Sequence, residues 1–319
     1  MAVVIGATGA AIGAVPTSAQ ELAPIVATSV TDPADAPIRA LLFKPWINGV
    51  ATGEPQMQVQ RYDDDTYVIR QSIRSNFEGP FLYVLFGSTR ALLIDTGAGG
   101  LRVRPTIDRV IAEWAARHHR LSIPLVVSHS HSHGDHHQGD AEFQDRPDTT
   151  VVGLYPKDVA DFFKIADWPN QIVPYDLGGR VLDIIPTPGH QSAHIMMFDR
   201  KTRVLFSGDS LGPYRLYIPL NEAKTYRDSI ERVATFTRDK HVSWILGAHI
   251  EMTTKAGELI PDEAPSHPDE HVLEISYSNL PELQTALSAM GDNLVQQTHR
   301  DFVIFPQPAR VQQPFAPPK

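Results

Sequence analysis

The sequence predicts a mixed α/β domain of α+β type, built as a four-layer αββα sandwich with two sheets between helices. Three observations carry that expectation. Short apolar, β-branched runs come in two blocks, and each block is followed by a stretch with apolar residues at helical spacing. Histidine and aspartate recur just past the ends of several of these runs, where open α/β sheets place their sites. The 319 residues leave room for one domain of roughly 200–250 residues with extensions at both ends.

Residues 1–20 are rich in Ala, Val, Gly and Ile, and the first charge is Glu21. Ser18 and Ala19 before Gln20 resemble the end of a secretory signal, which would place the mature chain in the periplasm or outside the cell. The basic n-region of such a signal is missing, since Arg39 is the first basic residue, so a disordered N-terminus on a cytoplasmic protein is the alternative. The stretch Val3–Gly13 looks like a strand entering a dinucleotide-binding glycine loop, but that site needs a helix next and Pro16 denies one. Residues 21–60 are Pro-rich around Phe43 and Trp46 and read as an arm laid on the domain.

The domain itself is expected over 61–305. Asp63-Asp64-Asp65 reads as a solvated turn, and the runs at 67–70, 81–86 and 91–94 as antiparallel strands of one sheet. Pro105 opens a helix with Ile107, Val110, Ile111 and Trp114 on one face, ended by His118 and His119, which suit a helix C-terminus. The strand 125–128 follows. Pro156 opens a short helix carrying Val159, Phe162 and Phe163, expected near the site mouth. Gly178-Gly179 marks a hairpin into a strand at 181–185, followed by strands at 195–198 and 204–206. Tyr226, Ile230 and Val233 make a covering helix before the strand 244–246. Pro281, Leu283, Leu287, Met290 and Leu294 outline a last helix and 302–305 a last strand. Residues 306–319 read as an extended Pro-rich tail or the arm of a homodimer.

Acidic residues outnumber basic ones 37 to 28, for a net charge of −9. Such a field repels phosphate backbones, so a small-molecule substrate is expected and nucleic acid is not. No stable membrane insertion is expected either. With no cysteine in the chain, disulfides and zinc-thiolate sites are excluded and any metal site must be built from nitrogen and oxygen.

That chemistry is present in concentrated form. His131-Ser132-His133-Gly134-Asp135-His136 places four imidazole or carboxylate ligands within six residues, directly after a strand. These donors suit Zn²⁺ and its neighbours Fe²⁺, Mn²⁺ and Co²⁺; the competing reading is a solvated His-rich loop. His129 and His137 flank the run and read as supporting or solvated groups.

The pattern His-x-His-x-Asp-His after an apolar strand resembles the signature of the metallo-β-lactamase-fold hydrolases, and four further stretches match that family in order. They are Leu92–Gly97 with Asp95, Thr187–His190, Phe206–Asp209 and Ile245–His249. The resemblance implies two divalent ions, Zn²⁺ first, with His131, His133 and His190 holding one, Asp135, His136 and His249 the other, and Asp209 bridging. It implies a hydroxide between the ions that attacks an electrophilic carbonyl or phosphoryl centre. Asp135 would also orient this nucleophile, and Asp95 would support a ligand or loop. His194 is read as structural. Tyr214 or Tyr217 is a candidate phenol to polarise the carbonyl, against the plainer reading of a loop aromatic. Asp209 at the fourth motif excludes the subclass that carries cysteine there. The expected substrate is an ester or lactone, with thioester or β-lactam in the same class. The alternatives are a phosphodiesterase and an iron-dependent oxidoreductase of the sulfur dioxygenase kind.

Overall fold

The structure is a computed structural model that describes residues 25–27 and 42–317. The expected signal segment and glycine loop therefore lie outside the described residues. The first sheet has seven strands in chain order: β1 Ile25–Ala27, β2 Met57–Asp63, β3 Thr66–Gln71, β4 Phe81–Phe86, β5 Ala91–Ile94, β6 Leu125–Ser128 and β7 Thr149–Val151. β2 to β5 are antiparallel neighbours, whereas β5, β6 and β7 run parallel. The second sheet contains β8 Val173–Asp176, β9 Val181–Pro186, β10 Ile195–Asp199, β11 Val204–Gly208, β13 Trp244–Gly247 and β14 Glu274–Ile275. A third, small sheet pairs β12 Arg215–Pro219 with β16 Val303–Gln307 and β15 Gln297–Thr298.

Side-chain alternation makes the layers. In β3, Val68 packs between the two large sheets while Tyr67 and Ile69 face outward, toward Val110 and Trp114 of helix α1 Arg104–Arg117. In β10, Ile195 and Met197 face the first sheet. Met196 and Phe198 face outward into a core shared with α4 Ala223–Thr237 and α5 Asn279–Met290. Both sheets are thus buried on both faces, and the helix–sheet–sheet–helix order follows from this period-two division. The two shorter helices are α2 Gly134–His137 and α3 Pro156–Phe163.

Several expectations shift in detail. β2 begins at Met57, inside the stretch expected as an arm, and Gln58 and Gln60 bond the backbone of Pro45 and Lys44 from it. The last helix stops at Met290 rather than reaching Leu294, because Gly291 takes a φ of 60°. α3 packs through Val159 and Phe163 into the inter-sheet core and does not line the cavity, while its Lys157 N–H donates to the Phe315 carbonyl of the tail at 2.7 Å, two residues from Gln313. The turn at Asp65 is not merely solvated: its carboxylate accepts from Trp114 Nε1 at 2.7 Å and pairs with Lys201. The tail folds back on its own chain, where Gln313 Oε1 accepts from Ser132 Oγ and Gln191 Nε2, each at 3.0 Å.

Strand direction decides where the site forms. β5 and β6 are parallel and end in register at Ile94 and Ser128, while β11 and β13 are parallel and end at Gly208 and Gly247. β9 runs antiparallel to β10, as β10 does to β11, so β9 also ends at this edge. Asp95, the His131 loop, His190, Asp209 and His249 each follow one of these five strands. The sheets are stitched together here by Ile195 N–H to the Ser130 carbonyl and Phe81 N–H to the Ala248 carbonyl, both at 2.8 Å. At the opposite edge the buried Arg180 guanidinium binds the Asp65 carbonyl, Thr66 Oγ1 and Asp199 Oδ2 at 2.6, 2.7 and 2.6 Å.

Candidate metal centre

Two groups of ligand-type atoms come together, one of His131, His133 and His190, the other of Asp135, His136, Asp209 and His249. In the first, His133 Nδ1 lies 3.0 Å from both His131 Nε2 and His190 Nε2. In the second, His136 Nε2 and His249 Nε2 lie 3.0 and 3.2 Å from Asp135 Oδ2 and 3.4 Å from each other. The Asp209 carboxylate stands between the groups. Its Oδ2 is 3.6 and 3.5 Å from His131 and His190 Nε2, and its Oδ1 is 3.4 Å from both His136 and His249 Nε2.

These spacings fit divalent ions. A tetrahedral ion with bonds of 2.0–2.1 Å separates its ligand atoms by about 3.3–3.4 Å, and every separation above falls close to that. Asp209 Oδ1 is buried without a hydrogen-bond partner, a costly state for a carboxylate oxygen that a cation removes.

The far nitrogens of the imidazoles are committed elsewhere, which fixes what faces inward. His190 Nδ1 donates to the Tyr217 carbonyl at 2.8 Å and His249 Nδ1 to the Glu78 carbonyl at 2.9 Å; a carbonyl only accepts, so each Nε2 is left to present a lone pair. His136 Nδ1 meets Asp95 Oδ2 at 2.9 Å, and His131 Nδ1 meets Ser130 Oγ at 3.1 Å. Asp95 is buried with a φ of 67°, a left-handed conformation that Asp tolerates, and also accepts Ser130 N–H at 2.7 Å.

Electrostatics divides the two groups. Burial and the adjacent imidazoles hold His131 well below the usual histidine range, and burial with His190 beside it lowers His133 to about 4. Burial lowers His190 as well. Burial also acts on His249, but Asp209 and Asp135 outweigh it and lift that imidazole to about 10. His136 is raised in the same way by Asp135, Asp209 and Asp95 against its burial. Both aspartates are held far below their ordinary range by these histidines, burial notwithstanding.

The glycine before Asp209 is required by space. Gly208 has a φ of 52°, and a Cβ there would sit 2.7 Å from His194 Nε2 and 2.8 Å from Ser130 Cβ. His194 is buried and supports this turn, with Nδ1 2.7 Å from Thr187 Oγ1 and Nε2 3.3 Å from the Asp209 amide. His129 bonds Asp140 at 2.9 Å, outside both groups.

Above the two groups opens a cavity of about 370 Å³. Its walls include Phe77, Glu78, Tyr217, Ile260 and Pro261, with Arg310 from the tail. Burial, partly offset by His249 and reinforced by Asp135 and Asp209, pushes Glu78 up to about 7. Arg215 is occupied by Glu251 at 3.2 Å and Asp262 at 3.0 Å. Tyr214 is placed otherwise than a phenol over ions requires: its hydroxyl is buried and donates to the Gly208 carbonyl at 2.5 Å. Tyr217 is half-buried, borders the cavity and packs on Phe305. Ser130 was legible only as a neighbour of His131, and of the wall residues named above only Tyr217 was singled out in the sequence.

The family model described as the Metallo-beta-lactamase superfamily matches residues 77–242, just over half of the chain. The chain belongs to the metallo-β-lactamase superfamily. It is 27% identical over 201 residues to the acyl-coenzyme A thioesterase MBLAC2 of Bos taurus, covering 53% of this chain and 72% of that protein. It is 30% identical over 135 residues to the hydroxyacylglutathione hydrolase of Rhizobium meliloti (strain 1021), covering 39% of this chain and 50% of that one. A metallo-beta-lactamase from Pontibacter korlensis superposes with a TM-score of 0.48 at 16% identity, covering 73% of this chain and 99% of that one. As a metallo-β-lactamase superfamily member with thioesterase and hydroxyacylglutathione hydrolase relatives, the chain is a metal-dependent hydrolase. Among its described residues no helix is long and apolar enough to cross a membrane.

Proposed function

We propose that this hydrolase cleaves a carboxyl derivative, an ester or lactone in the first instance, at a site for two divalent ions, with zinc the expected metal. His131, His133 and His190 would hold one ion, Asp135, His136 and His249 the other, and Asp209 would be shared. The observation that carries the reading is the split of one carboxylate, with an Asp209 oxygen turned to each group at 3.4–3.6 Å. Ions bound there supply Lewis acidity toward the scissile carbonyl and acidify water at the site.

The chain's own groups do the rest. Carbonyls of Tyr217 and Glu78 and the Asp95 carboxylate lock the tautomers of His190, His249 and His136. Asp135, with Oδ2 toward the histidines, borders the cavity and accepts a hydrogen bond from attacking water. Along the wall Glu251 and Asp262 neutralise Arg215, and Glu263 and Glu78, the latter raised to about 7, stand with Arg310, so the lining offers no cluster of free cations for a polyanionic substrate. This supports an uncharged or cationic ester over a coenzyme A or glutathione thioester and over a phosphodiester.

The test is metal analysis of the purified protein with a panel of nitrophenyl esters, lactones, thioesters, phosphodiesters and a chromogenic cephalosporin, run with and without oxygen. Two equivalents of zinc and oxygen-independent ester or lactone turnover, abolished in His131→Ala and Asp209→Ala, are expected. Iron with oxygen-dependent turnover would replace this reading by the oxidoreductase one.

A further inference from the structure

One cluster of buried ionisable side chains bordering the cavity takes no part in the metal groups. Arg70 of β3 is buried, lies over the Phe81 ring at 5.0 Å, and donates from Nη1 to Glu270 Oε1 at 2.5 Å. The second Glu270 oxygen, Oε2, faces His267 Nδ1 at 3.7 Å. Both atoms are buried and neither has a hydrogen-bond partner, in side chains only 9% and 8% exposed. His267 lines the cavity, and its other ring nitrogen, Nε2, has no partner among the described residues.

A histidine kept for support would spend its ring nitrogens on its neighbours. Here the support comes from the main chain: His267 N–H donates to the Asn48 carbonyl at 2.7 Å, and Asn48 Nδ2 donates to the His267 carbonyl at 3.0 Å. The ring is thus held in place while its nitrogens stay uncommitted. Leaving buried polar atoms unpaired is costly, and packing alone gives no reason to retain them. A carboxylate 3.7 Å behind Nδ1, itself fixed by an arginine, is placed to accept that nitrogen's proton in a hydrogen bond that tightens when the cavity fills, which leaves Nε2 for the bound ligand.

We propose that His267 is a catalytic residue that protonates the leaving group, with Glu270 and Arg70 as its positioning residues; the inference rests on the ester hydrolysis proposed above. As the bond from the acyl carbon to the alkoxy oxygen breaks, its electron pair goes to that oxygen, which takes the Nε2 proton of the His267 imidazolium and leaves a neutral ring with its proton on Nδ1. The attacking water gives up one proton to solvent, and the imidazole recovers one from solvent, so the products are acid and alcohol. The substrate class this fits is an ester or lactone with an alkoxide leaving group, too basic to depart unprotonated. A thiolate or nitrophenolate needs no such help.

The experiment compares the zinc-loaded wild type with His267→Gln and His267→Asn on two esters of one acid, an alkyl ester and a 4-nitrophenyl ester. Folding and metal content are checked by circular dichroism and metal analysis. The expected result is a loss of roughly a hundredfold or more in kcat on the alkyl ester, with the nitrophenyl ester held within about threefold. Glu270→Gln should show the same selectivity to a smaller degree. Equal losses on both esters, or none, with metal content unchanged, would overturn the role of His267 and leave the hydrolase reading standing. A wild type inert on both esters would overturn the two together.

Discussion

Asp95 Oδ2 accepts the Nδ1 proton of His136 at 2.9 Å while Oδ1 of the same carboxylate accepts the Ser130 amide at 2.7 Å. One buried side chain from the first sheet therefore aims a ligand-type imidazole and pins the loop that carries two more. Asp95→Asn tolerates the left-handed backbone but loses the charge that fixes His136, and should weaken metal affinity by about 10–100-fold. Chelator competition measures it; affinity equal to wild type would remove Asp95 from the support of the site.

Tyr214 and Tyr83 place their hydroxyls on the carbonyls of Gly208 and Gly247, the last residues of β11 and β13. These phenols brace the turns that present Asp209 and His249. Tyr214→Phe removes one of two bonds to the Gly208 carbonyl, which keeps the Ala248 N–H at 3.1 Å, and should cost about 0.5–1.5 kcal/mol in urea unfolding. With metal saturated, kcat on a nitrophenyl ester should stay within about threefold. A tenfold fall in kcat at unchanged stability would restore the phenol to the chemistry.

The site's lone pairs and carboxylates lie within 3.0–3.6 Å of one another, an arrangement that cations relieve. Removing metal with a chelator should lower the melting temperature, and adding zinc back at about a hundred times its dissociation constant should restore about 2.7 kcal/mol per site. His131→Ala should blunt this shift. A melting temperature indifferent to zinc would contradict the two-site reading.

The sites of convergence were legible because each candidate ligand follows an apolar strand, and strand ends are readable from β-branched runs such as Leu125–Ser128 and Val204–Gly208. β12 and β7 were not legible: Arg215–Pro219 mixes Arg, Tyr and Pro without alternation, and its partner β16 lies more than 80 residues away. β12 nevertheless supplies the Tyr217 carbonyl that orients His190, so part of the site rests on a pairing no local pattern announces. The same holds for His267, whose isolated position among Pro and acidic residues gives no periodic signal, and whose neighbour Glu270 pairs with Arg70 of the first sheet. The placing of Tyr214 was out of reach for a related reason: closeness to Asp209 in sequence says nothing of which carbonyl its hydroxyl will meet.

Asp301 anchors the third sheet to α5, accepting from Asn279 Nδ2 at 3.2 Å while its other oxygen lies 3.3 Å from His271 Nε2. The His271 bond, opposed by burial and helped by Asn279, holds its carboxyl below the ordinary range. A depressed folded pKa means stability that is complete above about pH 4 and is lost as pH falls through the folded value. Asp301→Asn should therefore be less stable than wild type at pH 7, with the gap closing in acid. A gap constant down to pH 2 would assign the effect to packing instead.

Arg180 and Asp199 form a fully buried ion pair at 2.6 Å, at the edge of the sandwich remote from the metal groups. The same guanidinium also reaches Thr66 Oγ1 and the Asp65 carbonyl, so it joins the two sheets where no site loop can. Removing only one member of a buried pair strands the other's charge, at a cost of about 3–5 kcal/mol. Asp199→Ala should lose that much in denaturant unfolding while the folded fraction keeps wild-type zinc stoichiometry and nitrophenyl ester kcat. If kcat fell in proportion to stability instead, the two edges of the sandwich would be mechanically coupled, and the site could not be treated as held by its own loops.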